Sequence, residues 1–374
     1  MMDWSKYRTK PEADTIQDYP TIVDVIEDIL EYEEQHLVLS KYPLSENHTE
    51  LYDMEEPGHY FVFHREDDFK MALLYPTGRN PMTFYRGESK YHETCVPSLL
   101  RIDDEGTILK AHLQTAELEC VLRQHPVIRD FLLREIHCPK LSMPFMLTVP
   151  YEGLAQHYGI LTPYLDLTND KWTAAFFAVT NYRKGNWEVV MPTEHQQYGS
   201  FYRLTNVDFM NKTIPQPTPL GMQYFNRPGK QSAFTLDMTE IKDLNLYPGI
   251  ERIYFRHDAE ANQLVYDLSQ QGRKFMPSDS LVSVANSIRE LKQYSQRAVE
   301  KTRIDNYPEK TVDEMNDYLK SYGLEIVSSP VVGFDSQQMQ KEWEEWQREG
   351  ATRYLNSLKI IPVTTLEGQV RKDK

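Results

Sequence analysis

The sequence predicts an α+β protein, and three observations predict it. Several stretches repeat their apolar residues at helical spacing, and others alternate as strands do. The two kinds follow one another without the regular strand–helix alternation that builds a parallel sheet. No internal repeat or low-complexity tract interrupts them.

Taken in order, residues 21–36 place Ile22, Val25, Ile26 and Ile29 on one helical stripe opposite an acidic face. Strands are expected at 60–64, 71–74 and 83–87. Leu109, Leu113, Ala116 and Cys120 mark a helix over 106–125, and Pro126 starts a second one through residue 136. A proline-rich crossing (Pro139, Pro144, Pro150) leads to a short helix that Gly159 stops. Trp172, Ala175, Phe176 and Val179 are the buried stripe of the next helix. Strands at 186–191, 200–204, 232–236 and 252–255 precede helices over 258–272 and 281–298. The tail carries helices over 312–322 and 338–355.

Composition narrows the function. Hydrophobic residues at 40% and aromatics at 12%, beside 26% charged, describe a folded globular chain. The longest apolar run, around 174–179, is far short of the ~20 residues of a membrane span, and no secretory leader is expected. Cys95, Cys120 and Cys138 fit neither a CxxC pair nor a zinc spacing, so they are expected to be reduced packing residues of a cytoplasmic protein. His125, His137 and Cys138 have no ligand spacing, so no metal is expected. A formal net charge of −15 disfavours nucleic acid as a partner, because binding its backbone relies on Lys and Arg. In KEWEEWQRE (341–349), Trp343 and Trp346 at i, i+3 either dock on the main body or offer a protein partner a surface.

Four stretches carry the chemistry: FYRGES (84–89), LAQHYGILTPYLDLT (154–168), NRPGKQSAF (226–234) and KFMPSDSLVSVANSI (274–288). In order and spacing they resemble the FRG domain, a largely bacterial family named for its Phe/Tyr-Arg-Gly motif. The resemblance spans roughly residues 80–290. It divides the chain into an N-terminal helical and strand region (1–75), an FRG-like domain (76–292) and a helical C-terminal extension (293–374). The resemblance implies a distant kinship with ADP-ribosyltransferases. That kinship would bring a mixed, mostly antiparallel sheet of the split half-barrel kind, flanking helices and a cleft for NAD or a related nucleotide or sugar. ADP-ribosyl transfer or NAD hydrolysis would be its chemistry. The alternatives are a non-catalytic ligand-binding or protein-interaction module, and a toxin or defence effector.

On that reading Arg86 presents a guanidinium to a diphosphate or ribose, with Gly87 permitting close approach. Equally, Arg86 pairs with Glu88 and ties the strand down. Gln156, His157 and Tyr158 end a helix and are expected to line the cleft, Gln156 and Tyr158 as ligand contacts. His157 either orients a ribose and exchanges protons or is a hydrogen-bonded core histidine. Thr162 is placed among the ligand contacts. Asp166 and Thr168 are helix caps or sugar contacts, and Arg227 is a second anion contact or a surface pair. Gln231, the second catalytic candidate, stands where such transferases use glutamate, and it offers a developing cation no charge. Where the family shows PTRLLDW, Pro163 replaces the arginine and Leu167 the tryptophan.

Overall fold

A computed structural model describes residues 2–39, 59–64, 71–76, 83–136, 144–183, 185–205, 214–220, 224–277, 279–353 and 359–362. His137 and Cys138 lie outside the described residues. The chain is α+β. Its N-terminal part forms α1 (Ile22–Leu39), β1 (His59–His64), β2 (Met71–Pro76) and β3 (Phe84–Glu88). Then come α2 (Glu105–Gln124), α3 (Pro126–Leu133), β4 (Met146–Leu147), α4 (Tyr151–His157), β5 (Tyr164–Thr168) and α5 (Lys171–Val179). A hairpin of β6 (Thr180–Arg183) and β7 (Asn186–Val189) leads to β8 (Tyr198–Leu204), β9 (Thr218–Pro219), α6 (Asn226–Lys230), β10 (Ala233–Asp237) and β11 (Ile250–Arg256). The remainder is α7 (Ala259–Leu268), α8 (Ser280–Arg289), β12 (Gln293–Ser295), α9 (Gln296–Asn306), α10 (Val312–Ser321), β13 (Glu325–Val327), α11 (Ser336–Glu345) and β14 (Lys359–Pro362).

The central sheet has the order β11-β8-β3-β5-β10-β9, and every pairing in it is antiparallel. A second sheet, β14-β1-β2-β4, mixes parallel and antiparallel neighbours. The described strands close into no barrel.

Two-residue alternation sorts the central sheet's side chains onto two faces. Tyr85, Phe201, Ile253 and Phe255 pack under α1, α5 and α7, where the stripe Ile22, Val25, Ile26 and Ile29 is buried. Phe84, Leu165, Leu167, Tyr202, Phe234 and Leu236 form the opposite cluster, covered by loops that include Cys95 and Leu244. A third core joins α2, α3, α4 and α8 to Trp346, whose indole Nε1 donates to Asp130 Oδ2 at 2.7 Å. The buried tryptophan of KEWEEWQRE is thus docked on the protein itself. Cys95 and Cys120 are free, buried thiols.

Gly87 is explained by helix packing. A Cβ built there would stand 1.9 Å from the main-chain oxygen of Ala174 and 2.8 Å from Ala178 Cβ, so β3 and α5 meet backbone to backbone. The glycine serves the face opposite Arg86.

Other expectations change too. Residues 164–168 are strand β5, because Leu165 and Leu167 bury themselves in the sheet while Asp166 pairs in register with Thr235. The cap of α5 is Asp170, which accepts from Thr173 N at 3.0 Å, and not Asp166. The helix expected over 281–298 breaks after Arg289. Ser295 restarts it as the N-cap of α9, held by the buried carboxylate of Glu117 through its N and Oγ at 2.9 and 2.7 Å. Gln231 is the C-cap of α6, just ahead of β10.

Candidate functional site

The central sheet splits beside Arg86. Strands β3 and β5 share one residue pair, Tyr85 with Thr168, while β3 continues along β8 for five. Where the ladder stops, Arg86 Nη1 donates to the main-chain oxygen of Asp166 at 2.9 Å, supplying a partner for a strand carbonyl. Its Nε and Nη2 face Glu88 Oε1 at 3.4 and 3.3 Å, two residues along the same face. Arg86 thereby uses three of its five N–H groups.

Glu88 also receives the Cys95 thiol at 3.3 Å on Oε1 and the Tyr202 hydroxyl at 3.4 Å on Oε2. Burial pushes the Cys95 pKa up to about 12, so the thiol is neutral at pH 7. Burial works against the Arg86 charge, but Cys95, Glu88, Asp166 and Tyr202 outweigh it and raise the arginine's pKa above its ordinary value. With the thiol neutral, Glu88 is the formal counter-charge.

A cavity of about 190 Å³ opens over these groups, lined by Arg86, Glu88, His92, Cys95, Arg101 and Gln156 among others. Its wall is the loop after β3, tied down by Cys95 N to Asp243 Oδ1 at 2.9 Å and by Arg252 Nη2 to His92 O. Arg101 reaches Ser98 Oγ at 3.0 Å and pairs with no carboxylate among the described residues. Thr162 supports Gln156 and is not itself a lining residue. Its hydroxyl donates to Gln156 Oε1 at 2.9 Å, which leaves the Gln156 amide nitrogen as a donor at the cavity.

The other expected residues lie apart from the cavity's lining, mostly tied to one another, although His157 Nε2, Arg227 Nε and Asp166 Oδ1 are buried without a hydrogen-bond partner among the described residues. Gln231 is 5% exposed; its Nε2 donates to Phe275 O at 2.9 Å and lies 2.8 Å from Met276 Sδ. Thr168 Oγ1 donates to Gln231 O at 2.7 Å and accepts from Asp170 N at 3.0 Å. The Tyr158 hydroxyl donates to Asp279 Oδ2 at 2.8 Å, and Arg227 covers the Tyr158 ring at 5.4 Å. Burial holds the Tyr158 pKa well above the usual phenol range, so the phenol keeps its proton at neutral pH, and burial also raises that of Asp279. The His157 side chain is 3% exposed. Its Nδ1 is 3.6 Å from Asp166 Oδ1, too long for a hydrogen bond.

Of the residues read from sequence, only Arg86 and Gln156 line the cavity, with Thr162 supporting Gln156. Asp166 joins the two groups: Arg86 takes its main-chain oxygen, and His157 faces its carboxylate. His157 and Gln231, the two catalytic candidates, are not among the cavity's lining residues. Sequence reasoning treated Glu88 only as a pairing partner, although its i+2 spacing from Arg86 puts it on the same strand face. Arg101 lies in a loop where no periodicity could point to it.

No curated protein and no solved structure matches the chain. Residues 81–186 match the model of the FRG domain. That stretch contains every residue lining the cavity, whereas Arg227, Gln231 and Asp279 fall outside it. The chain carries an FRG domain over residues 81–186, and the Arg86 cavity belongs to it.

Proposed function

We propose that the FRG domain is a binding module that holds the anionic group of a small nucleotide- or sugar-like ligand in the Arg86 cavity. One observation carries the reading. Arg86, whose guanidinium also serves Glu88, Asp166 and Cys95, lines the cavity together with Arg101 and Gln156, so that two guanidinium groups meet there with one carboxylate. A guanidinium with two neighbouring donors matches a carboxylate or phosphate bidentately.

NAD, the ligand that kinship with ADP-ribosyltransferases would imply, fits poorly. Clefts that hold drug-sized ligands run to about 300–1,000 Å³. The 190 Å³ bounded by the described residues takes a group the size of one sugar phosphate, not a whole dinucleotide. Gln231 is committed to Phe275, and His157 lies apart from the cavity. Binding without transfer is the reading these contacts favour.

The test is a thermal-shift titration with ADP-ribose, NAD, D-glucuronate and inorganic phosphate, on wild type and Arg101→Ala. A ligand at 100 times its Kd adds about 2.7 kcal/mol of apparent stability. A shift with at least one anion, weakened tenfold or more by Arg101→Ala, supports the module. No shift with any anion, or an unchanged one in Arg101→Ala, overturns it. Nicotinamide release from NAD would restore the transferase reading.

A further inference from the structure

We infer that Glu88 sets the specificity of the Arg86 cavity, and that the ligand is a singly charged anion carrying a hydroxyl beside its charge. The inference rests on the anion-binding reading above and adds the class of ligand. Its chemistry is shared by sugar carboxylates and by the phosphodiester-and-ribose unit of a nucleotide.

Charge is the first argument. Arg86 and Arg101 bring two positive charges to the cavity and Glu88 one negative, with Cys95 a neutral thiol and histidine counted as neutral. The lining residues thus leave at most one positive charge, and the Asp166 carboxylate near Arg86 lowers it further. A monoanion cancels it, whereas a dianionic phosphate monoester leaves a net negative charge against the half-buried Glu88 carboxylate. Uncompensated charge in a closed space is costly.

Hydrogen bonding is the second. Glu88 Oε1 receives Arg86 and Cys95, but Oε2 receives only the 3.4 Å contact from Tyr202. An ionised carboxylate offers about four lone-pair sites and donates nothing. Oε2 therefore accepts a hydroxyl and repels a second anionic oxygen. Arg86 and Glu88 are two residues apart on one strand face, so their Cα atoms stand roughly 6–7 Å apart. That spacing suits an anionic group and a hydroxyl on the same small ligand.

The inference is tested on the full chain by calorimetric titration at pH 8. The probes are D-glucuronate, cyclohexanecarboxylate (a carboxylate of similar size without hydroxyls), glucose 6-phosphate and the methyl diester of ribose 5-phosphate, a singly charged phosphodiester. Wild type should bind glucuronate or the ribose diester at least tenfold more tightly than cyclohexanecarboxylate and glucose 6-phosphate; which of the two leads tells the carboxylate source from the diester source. In Glu88→Gln the preference for hydroxylated over bare carboxylate should shrink several-fold, and glucose 6-phosphate should gain. Equal binding of the two carboxylates by wild type overturns the inference while leaving the anion site standing. So does a preference that survives in Glu88→Gln. Failure of all four probes to bind wild type overturns the anion reading itself, and this inference with it. If Glu88→Gln does not fold, the wild-type ratio alone decides.

Discussion

The Arg86 cavity and the Gln231 network are built from the same kinds of residue, and they differ in what is left over. Around Gln231 the donors mostly end on protein atoms: the amide on Phe275, the Thr168 hydroxyl on a main-chain oxygen, the Tyr158 phenol on Asp279. Around Arg86, most of Arg101 and the Gln156 amide nitrogen are left over, and all three residues line open volume. Buried polar groups that satisfy one another fix a fold, while groups with spare capacity at a cavity can recognise something else. Residue type alone does not separate the two cases; the open volume beside the donors does, since His157 Nε2 and Arg227 Nε also lack partners among the described residues but neither residue lines the cavity.

The comparison can be broken or sharpened by mutation, beginning with the largest effect. Gly87→Ala drives a methyl into the α5 backbone and should cost about 3 kcal/mol or more, read from urea unfolding. A stable Gly87→Ala protein would show that β3 and α5 do not meet as described. Gln231→Leu leaves the Phe275 oxygen without its donor and should cost about 1–3 kcal/mol of stability while anion affinity stays at the wild-type level. Affinity lost with stability intact would move Gln231 from its own network to the site.

Arg101→Ala should do the reverse, changing stability by less than about 0.5 kcal/mol and weakening anion binding at least tenfold. The smallest effect is on pH. Burial lowers the pKa values of His112, His125 and His257. Below the ordinary histidine range the unfolded chain therefore binds protons that the folded chain refuses. The stability these rings contribute is complete above about pH 6.5 and is lost as pH falls through their folded values. Burial raises Asp279 and Glu117, which act with the opposite sign at lower pH. The urea midpoint should fall between pH 7.5 and 5.5, and His125→Phe should flatten the curve. A midpoint independent of pH over that range would contradict neutral burial of the rings.

Much of the fold was legible because it rests on local patterns. The stripe of α1, the alanine-rich α5, the start of β3 and the Gly159 stop follow from spacing and from backbone freedom at φ +83°. Strand β5 was harder to read, since a five-residue strand with an aspartate at its centre looks like the lead-in to a cap. The break at 289–295 was hidden because Leu281, Val284, Ala285 and Ile288 keep helical spacing up to it. The contacts that end the helix come from Glu117 and β13, far away in sequence.

For the site, the motif blocks indicated which segments meet but not which contacts a side chain would make there. Arg86 and His157 were therefore drawn into one cleft, although they approach Asp166 through different atoms. The choice between an Arg86–Glu88 pair and an anion contact was also too narrow, because five N–H groups allow the pair with donors to spare.

Strand β14 bears on how the chain is made. It runs parallel to β1, pairing Lys359 with His59 across 300 positions of sequence. During synthesis from the N-terminus, β1 and β2 can form their antiparallel pair early, but the edge of β1 that β14 covers stays open until Lys359 has emerged. An uncovered strand edge is a template for pairing with another molecule, and long-range pairings of this kind form slowly. Chains halted before Lys359 would present that edge permanently. The last described strand thus closes a sheet begun near the first helix, and it marks the point in translation after which self-association through β1 is no longer open.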